Sequence, residues 1–156
     1  MNNQSTNQSV NLTKESWLSW PQTIRLLEVF KASGQEIRFV GGAVRDLLVG
    51  RAVKDVDVAT SASPQQVLGI LEKAGIRAIP TGLSHGTVTA VIDKVAFEIT
   101  TLRCDIKTYG RHAEVQFTRD WQEDAARRDF TINALYCDAA GKVYDYHHGI
   151  EDLRSR

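Results

Sequence analysis

Phe39-Val40-Gly41-Gly42-Ala43-Val44-Arg45-Asp46, followed by Lys54-Asp55-Val56-Asp57-Val58-Ala59-Thr60, is the stretch whose reading decides the fold. The first segment is a strand that stops at a Gly-Gly turn and continues into a helix. The second lies in a strand, Val53 to Thr60, with alternating polarity. Successive strand side chains point to opposite faces, so Val56 and Val58 turn inward while Asp55 and Asp57 share the outer face. Two carboxylates that close repel, and each favours its protonated form unless a cation lies between them. A hard divalent ion with oxygen ligands, Mg²⁺ above all, relieves that cost. The bare amides at the start of the helix suit a phosphate group, and Arg45, three residues into the helix, reaches the same anion. The sequence therefore proposes a metal site beside a phosphate-binding turn. Taken singly, each signal has a plainer reading, a tight turn for Gly41-Gly42 and solvated charges for the Asp pair. Their order, separated by one short helix, favours the joint reading.

Working outward, Pro21 opens a helix with Ile24, Leu26, Leu27 and Phe30 on its apolar face, and Gly34 ends it. Ser63-Pro64 starts another, in which Val67, Leu68, Leu71 and Ala74 keep helical spacing until Gly75. Ile76 to Ile79 reads as a short strand, and Thr87–Ile92 with Val95–Leu102 as a hairpin around Asp93-Lys94. Cys104 to Ala113 is polar and reads as a mobile loop. Trp121 to Arg127 suits a short helix, and Ala134–Asp138 pairs with Val143–Tyr146 across Ala140-Gly141. The class is α+β, with a mixed sheet. Residues 1–12, rich in Asn, Gln and Ser, read as a disordered leader, with order beginning near Thr13 as the N-cap of a short helix carrying Trp17 and Trp20.

The chain has 156 residues, room for one domain with a real core. Lys plus Arg and Asp plus Glu number 19 each, so net charge is zero. That argues against a nucleic-acid binder relying on bulk positive charge, and leaves a local basic patch open. Cys104 and Cys137 have no metal-ligand spacing and read as reduced thiols. No apolar run approaches the ~20 residues of a membrane helix. With neither a secretory nor a mitochondrial leader pattern, a cytoplasmic setting is expected.

Two further elements carry chemistry. Glu98, in Ala96-Phe97-Glu98-Ile99-Thr100-Thr101, is polar between apolar neighbours. On a strand beside Asp57 it would complete a three-carboxylate cage for two ions, one activating a hydroxyl and one holding a triphosphate. Arg127-Arg128-Asp129-Phe130-Thr131-Ile132-Asn133-Ala134-Leu135 offers a phosphate clamp, a ribose acceptor and an amide. An ordinary outward glutamate and a solvated charge cluster remain the plain alternatives.

In this order, Gly-Gly-Ala-Val-Arg-Asp, Asp-Val-Asp, His85-Gly86-Thr87-Val88-Thr89, Phe97-Glu98-Ile99-Thr100-Thr101-Leu102-Arg103 and Arg-Arg-Asp-Phe-Thr-Ile-Asn-Ala-Leu resemble one family. It is the head domain of bacterial-type tRNA nucleotidyltransferases and poly(A) polymerases, within the polymerase-β-like nucleotidyltransferases. The resemblance spans about Phe39 to Leu153. It implies template-independent addition of CMP and AMP, from CTP and ATP, to a tRNA or other RNA 3′ end with Mg²⁺. It implies metal ligation by Asp55, Asp57 and Glu98, and triphosphate contacts from Gly42 and Arg45, with Gly41 shaping the turn. It also implies that Arg128, Asp129 and Asn133 hold the nucleotide's phosphate and ribose, with Arg103 a secondary candidate. The segment after Arg103 corresponds to a loop linked in the family to switching between CTP and ATP.

The family pattern continues into neck, body and tail domains. Residues 13–156 are therefore expected to be a catalytic head alone, truncated or completed by a separate chain that carries the rest. Glu151-Asp152-Leu153-Arg154 is not the base-selecting Glu-Asp-x-x-Arg of the neck, because its Arg falls one position early. A poly(A) polymerase head and a non-catalytic nucleotide-binding remnant are the rival readings. The histidines read as structural, His85 at the hairpin entrance and His147-His148 in a turn.

Overall fold

A computed structural model describes residues 8–9, 20–48, 56–106, 114–128 and 133–154. Its strands are β1 (Gln8–Ser9), β2 (Ile37–Val40), β3 (Val56–Thr60), β4 (Arg77–Gly82), β5 (Thr87–Ile92), β6 (Val95–Thr101), β7 (Arg103–Ile106), β8 (Glu114–Phe117), β9 (Leu135–Cys137) and β10 (Lys142–Asp145). Its helices are α1 (Pro21–Ser33), α2 (Gly42–Leu48), α3 (Pro64–Lys73), α4 (Trp121–Ala126) and α5 (Gly149–Arg154). Eight strands form one sheet in the order β1-β10-β9-β2-β3-β6-β5-β4, and β7 pairs with β8 in a separate ribbon. The β3–β6 pair is parallel and the other described pairs are antiparallel. This is the expected α+β class with a mixed sheet.

Strand alternation sorts the core into two layers. Phe39, Val56, Val58, Phe97, Ile99, Leu135 and Cys137 face one way and pack with Leu26 and Phe30 of α1 and Val67 and Leu71 of α3. Val40, Ala59 and Tyr136, one position out of phase, face the other way and pack with Trp121 and Ala125 of α4. On this second face of β6, Ala96 and Glu98 stay exposed. Asp57 thus sits between a side covered by α4 and a side left open.

Local chemistry explains the boundaries. α1 carries Pro in its first turn and ends at Gly34, with φ 77°. α3 starts in a full capping box, in which Ser63 Oγ accepts from the Gln66 amide and Gln66 Oε1 from the Ser63 amide. The Asp93-Lys94 turn has φ 45° and 70°, the left-handed pair that matches the twist of a two-residue hairpin.

Four expectations change. Ile24 is not part of the buried face of α1 and is 45% exposed; Thr23, Leu26 and Phe30 carry it. The fourth strand begins one residue late and runs on to Gly82. Cys104 to Ile106, expected in a mobile loop, belong to β7, paired with β8; 107–113 lie outside the described residues. Gln8 and Ser9, expected in a disordered leader, pair with Val143 and Lys142 at the sheet edge. The expected Thr13 cap and Trp17 also lie outside the described residues. No helix among those described is long and apolar enough to cross a membrane.

Candidate active site

Parallel pairing of β3 with β6 sets Asp57 directly opposite Glu98. In-register neighbours on adjacent strands project from the same face, so the two carboxylates stand side by side on the layer that α4 leaves open. Asp57 is half-buried and Glu98 exposed. Both line a cleft of about 310 Å³ together with Val40, Gly41, Val58, His85, Thr87, Thr100, Arg103, Arg127 and Arg128. Carboxylates and arginines thus line one cleft, a polarity suited to an anion that carries its own cation.

Gly41 occupies the junction of β2 and α2 with φ 75°, a conformation that costs a side-chain-bearing residue about 1 kcal/mol or more. Its amide donates to the Leu135 carbonyl at 3.2 Å, and its carbonyl accepts from the Arg45 amide at 3.0 Å, which starts the helix. A Cβ on Gly42 would lie 3.3 Å from Arg45 Nη2, so Gly42 makes room for the guanidinium. Arg45 in turn donates from Nε to Asp46 Oδ1 and from Nη1 to Asn133 Oδ1, both at 3.1 Å.

The predicted site residues therefore fall into three sets. Gly41, Asp57, Glu98 and Arg128 line the cleft with the secondary candidate Arg103. Gly42, Arg45 and Asn133 form an adjoining group at the turn and do not line it. Asp55 and Asp129 lie outside the described residues. Among the described residues no three potential metal ligands cluster. Asp57 and Glu98 nonetheless supply the donor set a hard divalent cation takes, anionic oxygens on one face.

Two contributors escaped the sequence reading. His85, read as structural, stands in the cleft at the end of a 3₁₀ turn, Leu83–His85. Asp124 lies under the arginines, with a side chain 1% exposed. Its Oδ1 accepts from Arg127 Nη2 at 3.1 Å, Arg127 Nε at 3.2 Å and the Arg103 amide at 3.0 Å. Its Oδ2 accepts from Arg128 Nη2 at 3.1 Å and the Tyr136 hydroxyl at 2.5 Å. Burial pushes this carboxyl up, but Arg128, Tyr136, Arg127 and the Arg103 amide together hold it below its ordinary value. Burial and the neighbouring Asp124 charge push the Tyr136 phenol up, so it stays a donor. The spacing of Asp124 to Arg127 and Arg128, three and four residues on one helix face, was the available signal.

Residues 37–156 match the poly A polymerase head domain. The chain is 51% identical over 132 residues to CCA tRNA nucleotidyltransferase 1, mitochondrial, of Homo sapiens, covering 84% of this chain and 30% of that protein. It is 43% identical over 137 residues to the CCA-adding enzyme of Geobacillus kaustophilus, covering 86% and 33%. Among solved structures, the Bacillus stearothermophilus CCA-adding enzyme in complex with CTP aligns with a TM-score of 0.76 at 41% identity, covering 86% of this chain and 31% of that one. The chain thus spans about a third of the length of these relatives.

Proposed function

The chain belongs to the poly A polymerase head-domain family, and from that membership we propose that it is the catalytic head of a tRNA nucleotidyltransferase. The reaction is attack by an RNA 3′ hydroxyl on the α-phosphate of CTP or ATP, with pyrophosphate leaving, as CCA-end addition or repair requires. The observation that carries this reading is the register of Asp57 with Glu98, which line one cleft together with Arg128.

Asp57 and Glu98, with Asp55, are assigned to hold a divalent ion, taken here as Mg²⁺. Bound there, it supplies positive charge against the triphosphate and lowers the cost of ionising the attacking hydroxyl. The chain's own residues do the rest. Gly41 lets the backbone pass close to the nucleotide, and Gly42 leaves room for Arg45, which Asn133 steadies. Arg128, with Arg127 and Arg103, presents cationic donors that stabilise charge as it moves onto the leaving pyrophosphate. Asp129 is assigned to the ribose. Such positioning and electrostatic work accounts for most phosphoryl-transfer catalysis.

The relatives' names favour CCA addition over poly(A) synthesis. Base selection and the grip on tRNA are assigned to domains outside these residues, in the same polypeptide or a separate chain. Incorporation of radiolabelled CTP and ATP into tRNA lacking CCA, by this chain alone and with the remaining domains of a relative added, tests the reading. Asp57→Asn or Glu98→Gln is expected to lower transfer by more than the about 10–100-fold typical of losing a group behind the ligands, with melting temperature little changed. Transfer that survives the double substitution would sink the carboxylate assignment.

A further inference from the structure

We propose that Asp124 is a positioning residue, a buried carboxylate that aims Arg127 and Arg128 into the cleft at a nucleoside triphosphate. The inference rests on the nucleotidyltransferase reading and assigns a role to a residue outside the cleft lining.

An anion this buried costs several kcal/mol unless surrounding donors compensate it. Asp124 has five donor contacts divided between its two oxygens. Three of the donor residues, Arg103, Arg127 and Arg128, line the cleft. The fourth, Tyr136, fixes the plane of the carboxylate. Its ring is fully buried and held edge-on by Trp121, centroids 5.4 Å apart, and by Tyr146 at 6.0 Å. The hydroxyl therefore cannot swing away from Oδ2, and the carboxylate cannot turn away from the arginines.

The charge balance matters as much as the geometry. One carboxylate shared by two guanidiniums leaves the wall net positive, so it still attracts a polyanion. Asp124 also takes only part of each five-donor fork: Nε and Nη2 of Arg127, and Nη2 of Arg128. The guanidiniums are thus fixed in direction while keeping donors for a second anion. A carboxylate that served only to staple α4 to the sheet would support the fold equally for every ligand. One that aims arginines must favour the ligand with the most phosphates.

That difference is measurable as binding of Mg·CTP and of CMP by the full 156-residue chain and by Asp124→Asn. We expect the variant to bind Mg·CTP about tenfold or more weakly, the scale of one charge-assisted pair, with CMP affinity changed less than about twofold. Equal weakening for both ligands, or none in folded protein, would overturn the positioning role. If Asp124→Asn does not fold by circular dichroism, Tyr136→Phe decides. Removing the hydroxyl should cut the CTP-over-CMP preference severalfold, and an unchanged preference overturns the proposal. A wild-type chain with no preference for CTP over CMP would instead sink the nucleotidyltransferase reading itself.

Discussion

Asp124 also makes the stability of the head depend on acidity in a definite direction. Its carboxyl is held below the ordinary value of 3.8 by Arg128, Tyr136, Arg127 and the Arg103 amide, against burial, which alone would raise it. A group whose folded value is depressed binds its proton more readily when unfolded. Its stabilisation is therefore complete above about pH 4 and is lost as pH falls through the folded value. Denaturant midpoints should be flat near neutrality and drop below about pH 4. In Asp124→Asn, stability at neutral pH should be lower and this part of the acid drop missing. If the acid limb persists undiminished in the variant, other carboxylates carry it. The sequence made Asp57 and Glu98 legible because strand periodicity assigns a face from spacing alone. It left Asp124 unseen because an acid three and four residues before two arginines reads the same on a solvated helix as on a buried one. Only the packing of Trp121 and Tyr136 around α4 distinguishes them.

Element boundaries were readable where local chemistry enforces them and obscure where pairing does. Pro21 and Gly34, the Ser63–Gln66 capping box and the Asp93-Lys94 turn all act within a few residues. By contrast β7 and β8 alternate polar and apolar residues over only four positions each, too short a run to stand out from a loop, and they are separated in sequence, so their mutual pairing is what makes them strands. The hairpin turn offers a direct test of the local term. Lys94 sits at φ 70°, where a side chain crowds the backbone and Gly does not. Lys94 is exposed and no ion pair of it is described, so its replacement removes little else. Lys94→Gly should raise stability by up to about 1 kcal/mol, the strain relief partly offset by the greater freedom of Gly in the unfolded chain. Asp93 at φ 45° belongs to the residue types that tolerate the left-handed region, so Asp93→Gly should gain less. Equal or inverted effects in thermal melts would show that the turn does not set the register of β5 and β6.

At the scale of the molecule, the central strands β2, β3 and β9 carry both core layers, so the site on one face depends on packing on the other. Phe39, Val58 and Leu135 fill the helix-side core, while Val40, Ala59 and Tyr136 from the same strands support α4 and its arginines. Cys137 reports on this coupling. It is fully buried in β9, opposite Phe39 of β2 on one side and Val143 of β10 on the other. Burial, aided by Asp138, pushes its thiol up to about 12. At pH 8 the reactive thiolate is then about one part in ten thousand of the folded population. Modification must therefore proceed through opening that parts β9 from a neighbour. Cys104, half-buried in β7 outside the main sheet, needs no such opening. With a disulfide reagent at pH 8, Cys104 should react first. Cys137 should follow at a rate that rises with denaturant as steeply as global unfolding does. A Cys137 rate nearly independent of denaturant would mean that β10, together with the short edge strand β1, parts from β9 by itself. The layer bearing Asp57 and Arg128 would then be able to fold without that edge, and truncating β10 would leave triphosphate binding intact.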